Sequence, residues 1–111
     1  MKPEAPIAQV LDLAHLDRQT MGDAGLRAEI LALAQGEFDE LLSQLDAIAV
    51  SERAGLAHRL KGAARAIGAF ALGDAAQALE AAPQDPASML RLAERVTELR
   101  PALLRAMGRG G

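Results

Sequence analysis

Apolar residues recur along most of this chain at spacings of three and four, with polar residues between them. That period belongs to helices with one buried face, not to strands, in which apolar positions alternate. The longest run is Leu26, Ile30, Leu33, Leu41, Leu45 and Ile48, and Asp23 before it has the side chain of an N-cap. Gly36 interrupts the run, but Phe38 keeps to the apolar side, so the pattern predicts one long helix with an irregularity near Gly36. Ser51 is a cap-type residue for the next helix, Glu52 to Gly68, whose stripe is Leu56, Leu60 and Ile67. A turn around Gly68 to Phe70 leads to a shorter stripe of Leu72, Ala75, Ala76 and Leu79. Asp85 followed by Pro86 is a cap and first-position pair that opens the last helix. Leu92, Val96, Leu99 and Leu103 form its stripe, and Pro101 is expected to kink it or end it early. Upstream, Ile7 to Arg18 reads as a short first helix. The implied fold is all-α: an antiparallel up-and-down four-helix bundle with a short additional N-terminal helix over one end. Residues 1–107 form the single expected domain, and 108–111 a flexible tail.

Composition agrees with helices. Half of the 111 residues are hydrophobic, with two Phe and no Trp or Tyr. Ala and Leu dominate that half, and strands lack the aromatic residues they favour. The net charge is −3, from 15 acidic and 12 basic residues, which argues against a nucleic-acid partner. The absence of Cys excludes disulfides and thiolate chemistry. No apolar run approaches the roughly 20 residues that span a bilayer. The start, "MKPEAPIAQ", has no apolar core of a secretory signal, so the expected setting is the cytoplasm, away from membranes.

The candidate chemistry lies in "GLAHRLKGAARAIGAF", Gly55 to Phe70. On a helical wheel with His58 at the origin, Leu56 falls near 160°, Ile67 near 180° and Leu60 near 200°, at about 100° per residue. The core stripe therefore points away from His58. Ala54, Gly55, Gly62, Arg65 and Ala69 share its side of the wheel. A glycine inside a helix costs about 1 kcal/mol relative to alanine, so Gly55 and Gly62 suggest that something bulky approaches the ring. Lys61 and Arg65 add cations that can neutralise an anion on His58. Imidazole, with a reference pKa of about 6.5, offers a lone pair at neutral pH. One ring nitrogen can then attack a phosphoryl group while the other donates a hydrogen bond that fixes the tautomer. Nearby cations stabilise the phosphoryl oxygens as charge moves among them.

These residues resemble a known signature. "AHRLKGAARAIGAFALGDAAQALE", Ala57 to Glu80, is similar to the motif of histidine-containing phosphotransfer (HPt) domains of bacterial two-component phosphorelays. His58, Lys61, Gly62, Gly68, Leu79 and Glu80 all match, and "LDLAHLDRQTMGDAGLRAEILAL" resembles the opening of small members. The resemblance implies that His58 takes a phosphoryl group from an aspartyl phosphate on a response-regulator receiver domain and passes it to another receiver's aspartate. Nε2 would be the nucleophile, Glu80 would orient His58 through Nδ1, and Lys61 would meet the phosphoryl oxygens, with Arg65 as a further contact. The receiver would dock on the helix of His58 and the helix before it, over Ala54, Gly55, Arg59 and Gly62. The partners implied are receiver domains, a hybrid histidine kinase, or both. No cofactor is expected, because the Mg ion belongs to the receiver. Two residues depart from the usual pattern: Ala63 replaces a common Ser, and Gly36 lies in the long helix.

Less specific readings set the alternatives. A helical His is often a solvated surface residue, Lys61 and Arg65 alone would be a charged face, and Glu80 a surface acid. His15, without basic or glycine neighbours of the right kind, reads as structural. Two distant His and no Cys give no metal-ligand spacing. One alternative function is a receiver-binding helical adaptor that carries no phosphate. Another is the phosphoacceptor fragment of a histidine kinase, but His58 is followed by Arg-Leu-Lys-Gly, without the acidic residue and Pro typical of that class. The expected product is a phosphohistidine carrier without an ATP site of its own. Because four helices close a bundle unaided, a monomer is expected.

Overall fold

The computed structural model describes residues 10–108. Five helices account for most of them: α1 Leu13–Thr20, α2 Ala24–Ala47, α3 Val50–Ala66, α4 Phe70–Ala81 and α5 Pro86–Gly108. Helices α2 to α5 each pack against the next, and α5 returns to α2. That closed ring of neighbours is the four-helix bundle. Leu31, Phe38, Leu41, Leu45, Leu60, Leu72, Leu79, Leu92, Leu99 and Leu103 fill its centre. The most intimate pair is α3 with α4. Their buried faces include Ala57, Ala64, Gly73, Ala75 and Ala76, small residues that let two helix backbones approach closely.

The helix ends follow from local chemistry. Asp23 caps α2, its carboxylate accepting from Leu26 N–H at 2.9 Å. Asp85 caps α5, accepting from Ala87 N–H at 3.0 Å. The end of α3 is a Schellman turn. Ala69 N–H donates to Ala64 O at 2.8 Å, and Gly68 N–H to Arg65 O at 3.2 Å. Gly68 has φ +86°, and Asp12 N–H donates to its carbonyl at 2.9 Å. His15 adds a second tether from α1, with Nε2 3.1 Å from Ala66 O and its ring edge-on to Phe70. The short helix therefore covers the end of the bundle where α3 turns into α4.

Several boundaries differ from the pattern reading. The first helix begins at Leu13, because Asp12 is its N-cap and accepts from His15 N–H at 3.1 Å. Residues 7–9, expected in that helix, lie outside the described residues, as do 109–111 of the expected tail. Gly108, also assigned to the tail, is the last residue of α5. Leu33 is 73% exposed, and the buried stripe of α2 is instead Leu31, Ala34, Phe38, Leu41 and Leu45. From Ile30 to Ala34 the sequence is apolar throughout, so periodicity alone admits two faces there. Gly36 does not interrupt α2. Ser51 is not the cap of α3: the link from α2 is so short that Ala49 takes the cap position without a side-chain bond, and Ser51 lies inside the first turn. Pro101 neither ends α5 nor divides it. It is exposed, as is Thr97, so solvent can satisfy the carbonyl left without a donor.

The two glycines Gly68 and Gly36 should respond oppositely to alanine. At Gly68 a Cβ would meet Asp12 O at 3.0 Å in a left-handed backbone, whereas at Gly36 it would meet nothing within 4 Å. Gly68→Ala is expected to lose roughly 1–3 kcal/mol in urea unfolding. Gly36→Ala is expected to gain up to about 1 kcal/mol. Equal signs for the two changes would contradict this account.

Candidate functional site

Burial of Leu56, Ala57, Leu60 and Ala64 fixes the rotation of α3. His58 is consequently turned outward, and its side chain is 66% exposed. On α4, burial of Leu72, Ala75, Ala76 and Leu79 leaves Glu80 on the flank that faces α3. The antiparallel hairpin about Gly68 thus brings two residues distant in sequence to the same level.

Glu80 uses both carboxylate oxygens. Oε2 lies 2.9 Å from His58 Nδ1, and Oε1 accepts from Lys61 Nζ at 2.6 Å. The Lys61 ammonium beside Glu80 holds its carboxyl below the ordinary value of 4.5. Partial burial opposes that effect, and the bond to His58 adds to it. Glu80 is therefore ionised at neutral pH. A carboxylate can only accept, so the proton of the neutral ring is on Nδ1. The lone pair is then on Nε2, the ring atom directed away from the carboxylate.

The surroundings of the ring are low. A Cβ added at Gly55 or at Gly62 would meet nothing within 4 Å, so neither glycine is required by packing inside the bundle. Gly55, Arg59 and Gly62 are exposed, and Ala54 is half-buried. Lys61 is mostly covered, with 19% of its side chain exposed, and is tied to Glu80. Its position three residues after His58 puts it on the neighbouring helical turn. Arg65 turns to α4, where its guanidinium donates to Gln77 Oε1 at 2.6 Å and lies 3.5 Å from Asp74 Oδ1. Gln77 and Asp74 escaped the sequence reading, because their partnership with Arg65 depends on the register of the hairpin, which no local pattern sets. Arg53 donates to Pro83 O at 3.2 Å and ties the start of α3 to the loop after α4.

Among the described residues, no group of three or more His, Cys, Asp or Glu is arranged to hold a metal. His15 is engaged with the end of α3, as a structural residue would be. No described helix is long and apolar enough to cross a membrane.

A family profile described as Hpt domain matches residues 25–102, from the first turn of α2 to the Ala102 position of α5. No curated protein and no solved structure matches the chain. The matched segment contains α3 and α4 whole, nearly all of α2 and α5 as far as Ala102, with the His58, Lys61 and Glu80 cluster, and it leaves α1 outside. With well over half of its length in that match, the chain belongs to the Hpt domain family, the histidine phosphotransfer domains of two-component phosphorelays.

Proposed function

We propose that this chain relays a phosphoryl group between aspartates of receiver domains through His58 Nε2. The observation that carries the reading is the 2.9 Å contact between His58 Nδ1 and Glu80, beneath a ring whose other side is open. A proton fixed on Nδ1 leaves a nucleophilic lone pair on Nε2. That lone pair attacks the phosphorus of an aspartyl phosphate on the partner. The N–P bond forms, the P–O bond to the aspartate breaks, and the carboxylate leaves with the bonding pair. No proton has to leave Nε2. The positive charge gained by the ring spreads to Nδ1–H, which faces the Glu80 carboxylate. Attack by a second receiver's aspartate reverses the sequence and restores the neutral ring.

Lys61 is close enough to serve the transferred group. It would release Glu80 Oε1 and meet the phosphoryl oxygens, leaving Glu80 to the ring. Gly55 and Gly62, with Ala54 and Arg59, give the partner's active-site loops room and one exposed cation. The divalent ion of the reaction is the receiver's. The ring of four helices is closed without a second chain, which supports a monomer, and receivers as partners fit a cytoplasmic setting.

Incubation with a phosphorylated receiver should label the chain with a base-stable, acid-labile phosphate. His58→Gln is expected to abolish that label; label surviving the change would refute the assignment. Receiver binding without any label would favour the adaptor alternative.

Lys61→Met should leave the bundle folded and slow transfer roughly ten- to a hundredfold, the worth of one hydrogen bond to a charged group. The same variant tests the electrostatics. A carboxylate held low adds to folded stability at pH values above its ordinary 4.5, and that contribution is lost as pH falls through its lowered value. Without Lys61 the Glu80 titration, followed by its carboxyl carbon resonance, should move up toward the ordinary value. An unmoved midpoint would exclude Lys61 as the main cause.

A further inference from the structure

The α3–α4 hairpin carries a second polar rung one turn beyond the first. Lys61 and Arg65 are four residues apart on α3, and Glu80 and Gln77 are three apart on α4. In antiparallel helices these steps keep the two pairs in register. The stronger contact of the second rung is the 2.6 Å bond from Arg65 to Gln77. Asp74 is 79% exposed, so its ion pair with Arg65 contributes little.

Arg65 reaches α4 because residue 73 is glycine. Gly73 is buried inside α4, where glycine costs about 1 kcal/mol relative to alanine. A Cβ there would lie 2.9 Å from Arg65 Cγ, 3.3 Å from Nε and 3.6 Å from Cδ. Cγ is near the root of the side chain and cannot yield through a swing of the tip. The whole side chain would have to change rotamer and release Gln77. Helix propensity favours alanine at this position; the crossing arginine stem explains why it is glycine.

The rung also answers a packing problem. Much of the α3–α4 interface is Ala and Gly, which offer shallow ridges for setting register. A hydrogen bond such as that of His58 to Glu80 tolerates only a few tenths of an ångström in length, roughly 2.7–3.2 Å between the heavy atoms. We infer that Arg65 and Gly73 form a matched pair that sets the rotation and register of α4 on α3, and so holds Glu80 against His58 Nδ1. Arg65 is then a positioning residue, not a ligand of the phosphoryl group. Its consequence for transfer rests on the phosphorelay reading; its geometric content concerns the unphosphorylated ring alone.

The test combines nitrogen-15 NMR of the neutral His58 ring with labelling by a phosphorylated receiver. In Arg65→Ala, and separately in Gly73→Ala, the ratio of Nδ1–H to Nε2–H tautomer should fall roughly threefold, within the effect of one weakened hydrogen bond. Transfer should slow by a similar factor. The double variant should be no worse than Arg65→Ala, because the added methyl no longer meets an arginine stem; residues in contact do not add. Gln77→Glu keeps an acceptor for Arg65 and should hold the ratio, whereas Gln77→Ala should lower it. A tautomer ratio unmoved by Arg65→Ala overturns the inference, even if transfer slows, since that pattern marks a direct phosphoryl contact. Additive losses in the double variant overturn it as well. A wild-type chain that never takes label would sink the phosphotransfer reading and leave the tautomer test standing.

Discussion

The carboxylate of Glu80 is the contact on which the site depends. It joins α4 to α3, holds one side of the His58 ring and engages Lys61 in the same plane of the bundle. Each of these effects requires the charged form. Lys61 extends that form to lower pH by lowering the carboxyl's pKa, and the charge in turn fixes which ring nitrogen carries the proton. Remove the charge and the ring is free to rotate and to change tautomer. The arrangement is thus a coupled set of three side chains rather than a histidine with decorations.

The fold supplies the positions for this set at small cost. Leucines at the centre fix how α3 and α4 are rotated, and small residues between the two let them come close. The polar side chains then sit on the rim, where they need not be desolvated fully. Burial of an ion pair would demand complete compensation by hydrogen bonds; at the rim, solvent supplies the remainder. Gly55 and Gly62 weaken α3 by about 1 kcal/mol each. Packing within the bundle does not call for them, since a methyl at either would meet open space. A closed four-helix ring with a covering α1 can tolerate that loss.

Much of this was legible in the sequence because it depends on period and spacing. The outward turn of His58 followed from Leu56, Leu60 and Ile67, and the structure buries all three. The Asp23 and Asp85 caps were legible because a carboxylate before a helix has a specific donor to meet. Leu33 was misread because Ile30 to Ala34 is apolar on every side and only tertiary packing selects a face. Ser51 was misread because cap preference yielded to a short link between two helices. The Glu80 contact was legible only through family resemblance, since no local rule pairs residues across a hairpin. The Arg65 rung and its notch at Gly73 lay beyond the sequence for the same reason: a glycine that admits a neighbour's side chain looks like any other glycine until the neighbour is in place.

The most direct measurement is to find which ring nitrogen carries the phosphorus. Nitrogen–phosphorus couplings of the labelled, phosphorylated chain distinguish the two atoms. The account predicts phosphorus on His58 Nε2, with a proton retained on Nδ1 toward Glu80. Phosphorus on Nδ1 would require the Glu80 contact to break before transfer, and would contradict it.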